Sequence, residues 1–355
     1  MIGADGTMIR VGLVGFGMAG RVFHAPLISS VAGLELAAVL ERNSDHAAER
    51  YPGITTYRSL DQLLADESLG LIVVATPSGT HFDVARRALD AGQNVVVDKP
   101  MAPRASEIKE LIEVAEWQGA MLAPFHNRRW DGDFLTVKQL LRDGVVGRLV
   151  EFESRMDRWN PGATRKAWKN DPEQGGGVLL DLGTHLADQA LALFGPPLAL
   201  SAEVTRERDG EGADDAFTLR LRYEGFRVTL ASNMLSSPPG ARFVVRGTKE
   251  NYRKTGVDPQ EAALNRVSRI EDPSWGKEPE SAWGELSAES EAGPAVRRVE
   301  TLAGDYRKIY EGVRDTLTGK GHAPVSAEDA WRVAKVLEWA RVSSETRREV
   351  ECAWK

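Results

Sequence analysis

The chain has 355 residues, 42% hydrophobic and 27% charged, a composition typical of a globular protein long enough for two domains. A formal net charge of −7 and the lack of a basic run exclude a nucleic-acid-binding protein that relies on bulk positive charge. The single cysteine, Cys352, excludes an intramolecular disulfide, and we find neither a membrane-length apolar run nor a signal peptide. We therefore expect a cytoplasmic protein that binds neither nucleic acid nor a membrane.

A glycine-rich turn follows the first predicted strand, Ile9–Val14. Its six residues form a G-x-G-x-x-G sequence: Gly15, Phe16, Gly17, Met18, Ala19 and Gly20. The first five are predicted to contact a dinucleotide. Gly15 allows a tight turn, Gly17 lets the backbone approach the pyrophosphate, and Gly20 lets the helix pack closely on the strand. The helix that follows directs its unpaired N–H groups and the positive end of its dipole toward the phosphates.

Strand and helix patterns alternate from Ile9 to about Phe125. The other strands are predicted at Leu34–Leu40, Gly70–Thr76, Asn94–Asp98 and Met121–Phe125, with helices such as His81–Ala91 and Ser106–Gln118 between them. Continuous apolar runs indicate strands that are buried on both faces, as in a parallel sheet. Residues 8–125 are therefore predicted to form a doubly wound α/β Rossmann domain, with ligands beyond the carboxyl ends of its strands.

Two adjacent residues at the end of the second strand give opposite indications about the cofactor. Glu41 lies about 20 residues after the glycine turn, where an acid hydrogen-bonds the ribose hydroxyls of NAD. Arg42 follows it, and a guanidinium at this place binds the 2′-phosphate of NADP. Both residues are predicted to contact the cofactor, and the choice between NAD and NADP stays open.

The loop after the next strand is also predicted to run past the cofactor. Thr76 and Pro77 begin this loop, which turns away from the sheet because proline cannot continue a hydrogen-bonded ladder. His81 begins the following helix. We interpret it either as a cofactor contact or as a histidine that only caps or packs.

Asp98, Lys99 and Pro100 follow the strand after that, at the lip of the predicted crevice. A lysine there can bind a substrate hydroxyl, and its charge lowers the cost of negative charge on that oxygen as hydride leaves. Asp98 and Lys99 are predicted to contact the cofactor as well. Pro100 fixes the chain direction after Lys99, through a cis or a trans peptide bond.

The pattern changes at about residue 125, and residues 126–355 are predicted to form a second domain. After a helix at Phe134–Arg142, alternating strands are predicted from Leu149 and at Leu198–Arg206, Ala216–Tyr223, Phe226–Leu235 and Arg242–Gly247. Alternation of apolar and polar residues indicates an α+β domain with a large, mostly antiparallel open sheet.

Two later segments are predicted to serve structure and not chemistry. Residues Glu271 to Pro294 are rich in Gly, Pro, Ser and Glu and are interpreted as a long exposed connection. Ser326 is predicted to cap the last helix, which packs within the second domain or back on the first.

A helical segment with a second set of polar residues follows the three glycines at 175–177. Asp181 and His185 are four residues apart and so share one helix face, which Asp188 continues. Imidazole can take a proton from a hydroxyl near neutral pH, and a carboxylate can hold substrate. Gly183 costs about 1 kcal/mol within a helix, which predicts a close approach by substrate or cofactor. An isolated pair of this kind is also typical of a polar exposed face, and without an evident third ligand no metal is predicted.

The order of these motifs resembles the glucose–fructose oxidoreductase, inositol dehydrogenase and rhizopine-catabolism (Gfo/Idh/MocA) family. The matching segments extend from Met8 to about Ser344 and are VGLVGFGMAG, ATPSGTH, AGQNVVVDKP, FHNRRWD, GGGVLLDLGTHLADQ and PVSAEDA. FHNRRWD and VFHAPL are most similar to the branch that contains NADP-dependent scyllo-inositol dehydrogenase.

The resemblance implies roles for individual residues. Lys99 matches the lysine of the family's Glu-Lys-Pro, with Asp98 in place of glutamate, and would contact the reacting hydroxyl and the nicotinamide. Asp181 would hold substrate hydroxyls, and His185 would be the general acid and base. Two residues of FHNRRWD, Asn127 and Arg128, would line the substrate pocket.

The resemblance also implies a closing segment and self-association. Trp159, Arg165 and Lys166 precede the three glycines and would close over the substrate. Relatives assemble through the exposed face of the second sheet, so we expect a homodimer or a homotetramer.

These patterns predict an NAD(P)-dependent oxidoreductase that transfers a hydride between nicotinamide and a secondary alcohol or ketone of a cyclic polyol or sugar. The alternatives are a non-catalytic regulator that senses NAD(P) or sugar on the same fold, and a reductase of another small substrate such as a tetrapyrrole or an imine. Lys99, Asp181 and His185 favour an enzyme, because a sensor does not need them, and they favour a polyhydroxylated substrate.

Overall fold

The computed structural model describes residues 8–162, 171, 175–210, 212–266, 270–291 and 293–354. The chain forms two compact units, each with its own sheet. The first unit comprises Met1–Asn127, Glu261–Trp275 and Tyr306–Trp331, and the second comprises Arg128–Gln260, Gly276–Asp305 and Arg332–Lys355.

Among the described residues, the first unit contains a six-stranded parallel sheet in the order β3-β2-β1-β4-β5-β6. Its strands are β1 (Ile9–Val14), β2 (Leu34–Leu40), β3 (Thr55–Tyr57), β4 (Leu71–Val74), β5 (Val95–Val97) and β6 (Leu122–Pro124). Every residue of β4 and β5 is buried, as expected of apolar strands covered on both faces. The predicted Rossmann fold is confirmed, and the strand order reverses between β1 and β4, beyond whose carboxyl ends this fold binds nucleotides.

The helices are those that the strand–helix alternation requires, together with several later in the chain. They are α1 (Ala25–Ser30), α2 (His46–Arg50), α3 (Leu60–Leu64), α4 (His81–Asp90), α5 (Ala105–Gln118), α6 (Gly132–Arg142), α7 (Thr184–Phe194), α8 (Gln260–Asn265), α9 (Arg307–Leu317) and α10 (Ala327–Thr346). A π-helical turn precedes α1 at Gly20–His24, and another precedes α7 at Leu179–Gly183. Across the described ranges, no helix is long and apolar enough to cross a membrane.

The second unit contains a nine-stranded sheet among its described residues, in the order β14-β13-β12-β11-β7-β10-β9-β8-β15. Its strands are β7 (Leu149–Arg155), β8 (Ala199–Thr205), β9 (Ala216–Arg222), β10 (Arg227–Asn233), β11 (Phe243–Gly247), β12 (Asn251–Lys254), β13 (Gly284–Ser290), β14 (Gly293–Val299) and β15 (Val350–Glu351). Neighbouring strands are antiparallel except β7 and β10, which are parallel. The prediction of a mostly antiparallel sheet is confirmed.

One hydrophobic cluster joins α7 and α10 to the covered face of this sheet. Leu186 of α7 and Leu337 of α10 are buried in it with Phe217 and Leu230 from neighbouring strands. Ser326 caps α10 as predicted, because its hydroxyl accepts a hydrogen bond from the N–H of Asp329 at 3.1 Å. The helix that carries Asp181 and His185 is therefore fixed by the core of the second unit.

The interpretation of Glu271 to Pro294 as an exposed connection is wrong. Trp275 is only 8% exposed, and β13 lies between β12 and β14 with Leu286 completely buried. Frequent Glu and Ser obscured the alternation, because Leu286 is the one large apolar residue that β13 turns inward.

Candidate functional site

The glycine turn after β1 has a conformation that fits a dinucleotide. Gly15 has φ +99°, and a Cβ there would lie 2.8 Å from the carbonyl oxygen of Ala75. A Cβ on Gly20 would overlap the carbonyl oxygen of Gly15, whereas no described atom lies within 4 Å of the Cβ position of Gly17. The open space is therefore at the glycine whose backbone the pyrophosphate approaches. Beside it, Met18 is 41% exposed, whereas Phe16 packs against Tyr51.

The helix after this turn contains the π-turn Gly20–His24 just before Pro26. Pro26 has no N–H, and in a regular α-helix its ring would clash with the carbonyl group four residues earlier. A wider turn at this point accommodates it. The turn ends at His24, whose side chain is completely buried.

His24 joins two elements of the first unit at the carboxyl edge of the sheet. Its Nδ1 lies 2.6 Å from the hydroxyl of Tyr310 in α9, and its Nε2 lies 3.8 Å from Asp98 at the end of β5. Burial raises the pKa of the Asp98 carboxyl, but the interaction with His24 and the charges of His81 and Lys99 outweigh it, so the pKa is lowered. Burial and the charge of Asp98 raise the pKa of Tyr310, which therefore keeps its proton.

Lys99 follows this carboxylate directly. Its backbone N–H donates to Oδ1 of Asp98 at 2.8 Å, and the Lys99–Pro100 peptide bond is cis. Asp98 thus accepts a hydrogen bond from the backbone of the lysine that follows it.

His81 lies between the ends of β4 and β5. Its side chain is 1% exposed, with Nδ1 2.7 Å from the carbonyl oxygen of Pro100 and Nε2 2.8 Å from that of Thr76. Pro77, beside Thr76, is exposed. The imidazole is bound to backbone on both sides, and direct contact of His81, Thr76 or Pro77 with the cofactor stays a prediction.

The carboxylate of Glu41 bonds to its own loop, and its predicted contact with the cofactor stays a prediction. Glu41 is only 6% exposed, and its two carboxylate oxygens accept hydrogen bonds at 2.8 Å from the hydroxyl of Ser44 and from the N–H of Ala47. The guanidinium of Arg58 donates to the carbonyl oxygens of Glu41 and Ser44, and Arg42 is exposed. The charge of Glu41 therefore holds its own loop together, next to an exposed cation.

Asp181 and His185 lie in consecutive turns of one helix in the second unit. Asp181 belongs to the π-turn Leu179–Gly183 and is partly exposed, whereas His185 lies in the first turn of α7 and is 5% exposed. π-Turns inside α-helices occur frequently at functional sites. The predicted carboxylate and imidazole thus belong to one continuous helix.

The start of this helix is capped by Asp214, a residue that the sequence analysis missed. Its carbonyl oxygen accepts from the N–H of Val178 at 2.9 Å, and its carboxylate accepts from the N–H of Leu179 at 2.7 Å. Arg341 donates to the other carboxylate oxygen at 3.0 Å. Gly177 has φ +108°, and a Cβ there would overlap this carboxylate. No sequence signal marks a cap that is 35 residues from its helix.

The interpretation of Gly183 is wrong. Its Cβ position lies 3.1 Å from Leu179, 3.3 Å from Leu337 and 3.4 Å from Phe217, all of them apolar side chains of the second unit. The lack of a side chain lets the helix pack closely on the core of the second unit, and this packing, not a ligand, accounts for the glycine.

The segment after β6 is tied to the same helix through Asp188. Arg129 donates to its carboxylate through Nε at 3.0 Å and Nη2 at 2.7 Å. Gln189 donates to the carbonyl oxygen of Arg128 at 2.7 Å and accepts from Arg242 at 2.7 Å. Asp188 thus pairs with Arg129, and the helix is anchored by charged groups on one side.

Other residues predicted at the site differ in exposure. Asn127 and Arg128 are 5% and 7% exposed, and Arg128 pairs with the buried Asp131 at 3.3 Å. Trp159 is 62% exposed. Arg165 and Lys166 lie outside the described residues. Their predicted roles stay predictions.

A second buried carboxylate, Asp258, caps α6 in the same manner. It accepts from the N–H groups of Gly132 at 2.7 Å and Gln260 at 2.9 Å. Burial and the nearby charges of Asp131 and Asp133 raise the pKa of Asp258 well above its ordinary value. Within the described ranges, no group of three His, Cys, Asp or Glu side chains is arranged to hold a metal ion.

Comparison with known proteins agrees with this geometry. Residues 9–126 match the oxidoreductase family with an NAD-binding Rossmann fold, and residues 134–253 match the GFO/IDH/MocA C-terminal domain. The uncharacterized oxidoreductase YdgJ of Escherichia coli is 38% identical over 96% of this chain and 97% of its own.

Two further relatives cover both units. The NADP(+)-dependent scyllo-inositol 2-dehydrogenase IolW of Bacillus subtilis is 30% identical over 96% of this chain and 95% of its own. The solved structure of YPO2259 from Yersinia pestis is 40% identical, covers 98% of each chain and has a TM-score of 0.92. The chain therefore belongs to the Gfo/Idh/MocA family of oxidoreductases, whose Rossmann domain binds NAD or NADP.

Proposed function

We propose that the chain is a dehydrogenase or reductase that acts on a secondary alcohol or ketone of a cyclic polyol or sugar. The observation that carries the proposal is the buried His185 one turn after Asp181 on a helix capped by Asp214 and anchored through Asp188. A titratable base on a rigid element beside a carboxylate suits proton exchange with a hydroxyl. The name of IolW supports an inositol-like substrate.

His185, Lys99 and Asp181 each have a separate role in the proposed reaction. Gly15–Ala19 would hold NAD(P), whose chemistry when bound would be to accept or supply the hydride. In the oxidative direction His185 takes the proton of the hydroxyl, Lys99 stabilises negative charge on that oxygen, and Asp181 orients the substrate. In the reductive direction His185 returns the proton to the carbonyl oxygen.

We also propose that NADP is preferred over NAD. The carboxylate of Glu41 is buried, and both of its oxygens already accept hydrogen bonds from Ser44 and Ala47, which leaves it less capacity to accept from the ribose hydroxyls. The exposed guanidinium of Arg42 is the group beside it that can pair with a 2′-phosphate.

Turnover assays with both cofactors test these proposals. The absorbance of the reduced nicotinamide is followed with NAD and NADP against a panel of inositols, aldoses and the matching ketones. Oxidation of one polyol or sugar supports the substrate class. Silence across the panel, with tight binding of the cofactor measured separately, contradicts it and favours a different small substrate or a sensor.

The cofactor preference has its own variant. Arg42→Ala is expected to lower kcat/KM for NADP on the order of tenfold with little change for NAD. Arg222→Ala, which removes a half-exposed arginine of the second unit, serves as the control. An equal loss with both cofactors, or none, contradicts the role of Arg42.

A further inference from the structure

We propose that His81 carries a proton on both ring nitrogens and that this imidazolium holds the two loops beside Lys99 in place. Both of its contacts are short, 2.7 Å from Nδ1 to Pro100 and 2.8 Å from Nε2 to Thr76. Both partners are backbone carbonyl oxygens, which accept hydrogen bonds and never donate them. A neutral imidazole has one N–H, so one contact would place two lone pairs against each other. Exchanging one neutral tautomer for the other does not remove the conflict, because each tautomer lacks a donor at one of the two contacts.

The surroundings supply the negative charge that a buried imidazolium needs. Asp98 lies at the end of β5, and the charge of His81 is among those that keep this carboxylate ionised. Asp83, in the first turn of the helix that His81 begins, adds a further negative charge, whereas the cation of Lys99 opposes it. The attraction of the Asp98 charge offsets part of the cost of burying a cation at a site that is 1% exposed.

The other buried histidine beside Asp98 does not require a second proton. Nδ1 of His24 lies 2.6 Å from the hydroxyl of Tyr310, which can donate to it, while an N–H at Nε2 faces Asp98 at 3.8 Å. A neutral ring of His24 therefore sets no two lone pairs against each other, although 3.8 Å is too long for a hydrogen bond to Asp98. The same carboxylate is flanked by one histidine that can be neutral and one that cannot.

The consequence for the reaction rests on the function proposed above for Lys99. Thr76 follows β4 and Pro100 follows Lys99 beyond β5, and these two strands are hydrogen-bonded neighbours. An imidazolium that donates to both carbonyl groups fixes the two loops relative to each other. His81 is thus a positioning residue: it acts on Lys99 through the backbone of Pro100 and has no ring nitrogen left for substrate.

Nitrogen NMR of the intact protein tests the protonation state without substrate or turnover. The chain has six histidines, and labelling them with ¹⁵N resolves imidazolium from neutral rings. At about pH 8.5, where an ordinary histidine is neutral, we expect one residue to keep two protonated ring nitrogens and to disappear in His81→Gln. If every histidine is neutral at that pH, the proposal is overturned, whether or not the variant folds.

Kinetics test the positioning role. Glutamine donates from a single nitrogen, so His81→Gln releases one of the two loops. We expect kcat to fall about tenfold or more while the Kd of the cofactor changes less than about threefold. His46→Gln, at a side chain that is 63% exposed, serves as the control. An imidazolium signal with unchanged kcat in His81→Gln would overturn the positioning role, and failure to find any substrate would leave the NMR result as an independent test.

Discussion

Two glycine-rich segments of this chain lead into π-turns, and they use the absence of side chains in opposite ways. At the first, the Cβ position of Gly17 has no described atom within 4 Å. At the second, the Cβ position of Gly177 is taken by the carboxylate of Asp214, which caps the helix. The backbone N–H groups at the start of the first helix are thus left for an external anion, whereas N–H groups at the start of the second are bonded by Asp214. Chemistry at the second helix must therefore come from its side chains.

The largest expected effect follows from that difference. His185→Ala removes the proposed acid and base from the second helix and should lower kcat about a thousandfold, while cofactor affinity is unchanged. Steady-state turnover and the Kd of the cofactor measure the two quantities. His322→Ala, at an exposed histidine, should change neither. Turnover of the variant within tenfold of the wild type would remove His185 from the mechanism.

A smaller effect separates two glycines within the first segment. Gly17→Ala should leave the melting temperature unchanged but raise the Kd of the cofactor on the order of tenfold or more, because its methyl group enters the open space. Gly20→Ala should lower the free energy of unfolding by about 2 kcal/mol, because its methyl group would overlap the backbone of Gly15. Calorimetry and titration of both variants give the comparison. If Gly17→Ala binds the cofactor normally, the turn does not hold the pyrophosphate.

Asp98 of the first unit and Asp258 of the second differ in how they make the stability of the protein depend on pH. The lowered pKa of Asp98 contributes stability that is present above about pH 4 and lost as the pH falls through the lowered value. The raised pKa of Asp258 makes stability depend on pH in the opposite direction, because the native state keeps a proton that the unfolded chain loses near pH 4. Its contribution to the free energy of unfolding therefore falls as the pH rises, by at most about 1.4 kcal/mol per unit.

Asp258→Asn checks this sign. The difference in free energy of unfolding between wild type and variant should shift against the wild type as the pH rises above about 4. Urea denaturation at several pH values measures it. Parallel curves would show that Asp258 titrates alike in the native and unfolded states.

The smallest expected effect concerns the cap of the second helix. Asp214→Asn keeps an acceptor for Leu179 but loses the charge that pairs with Arg341, and should cost about 1 kcal/mol. Asp209→Asn, at an exposed aspartate of the same region, is the matched control. Equal stability of both variants would mean that the helix does not depend on this cap.

Much of the first unit follows from its sequence because its signals are local. β1 and β2 have the predicted bounds, since each is mostly apolar and is followed directly by Gly15 or Glu41. β3 was not predicted, because three partly exposed residues at a sheet edge carry no periodicity. In the second unit, β13 was mistaken for a loop because its strand character depends on partners on both sides.

The candidate site shows the same limit. Lys99, Asp181 and His185 could be named as candidates because each lies next to a local landmark, and their roles stay predictions. The sequence analysis gave Gly183 to a ligand, whereas the structure uses it for packing, and it did not predict that Glu41 also bonds Ser44 and Ala47 of its own loop. Asp214 bonds to Leu179, 35 residues away, and Tyr310 to His24, 286 residues away. Contacts between residues so far apart leave no pattern in one sequence.

The parallel contact between β7 and β10 has a consequence for the order of folding. Arg227 lies opposite Glu151, 76 residues earlier, whereas β8, β9 and β10 are joined by short antiparallel connections, as are β13 and β14. Closing a long loop costs more chain entropy than forming a hairpin, so the hairpins assemble first. The contacts of β7 with β10 and β11 then form late, as does the contact of β15 with β8, and until then β7 and β10 expose unpaired edges that can recruit another chain.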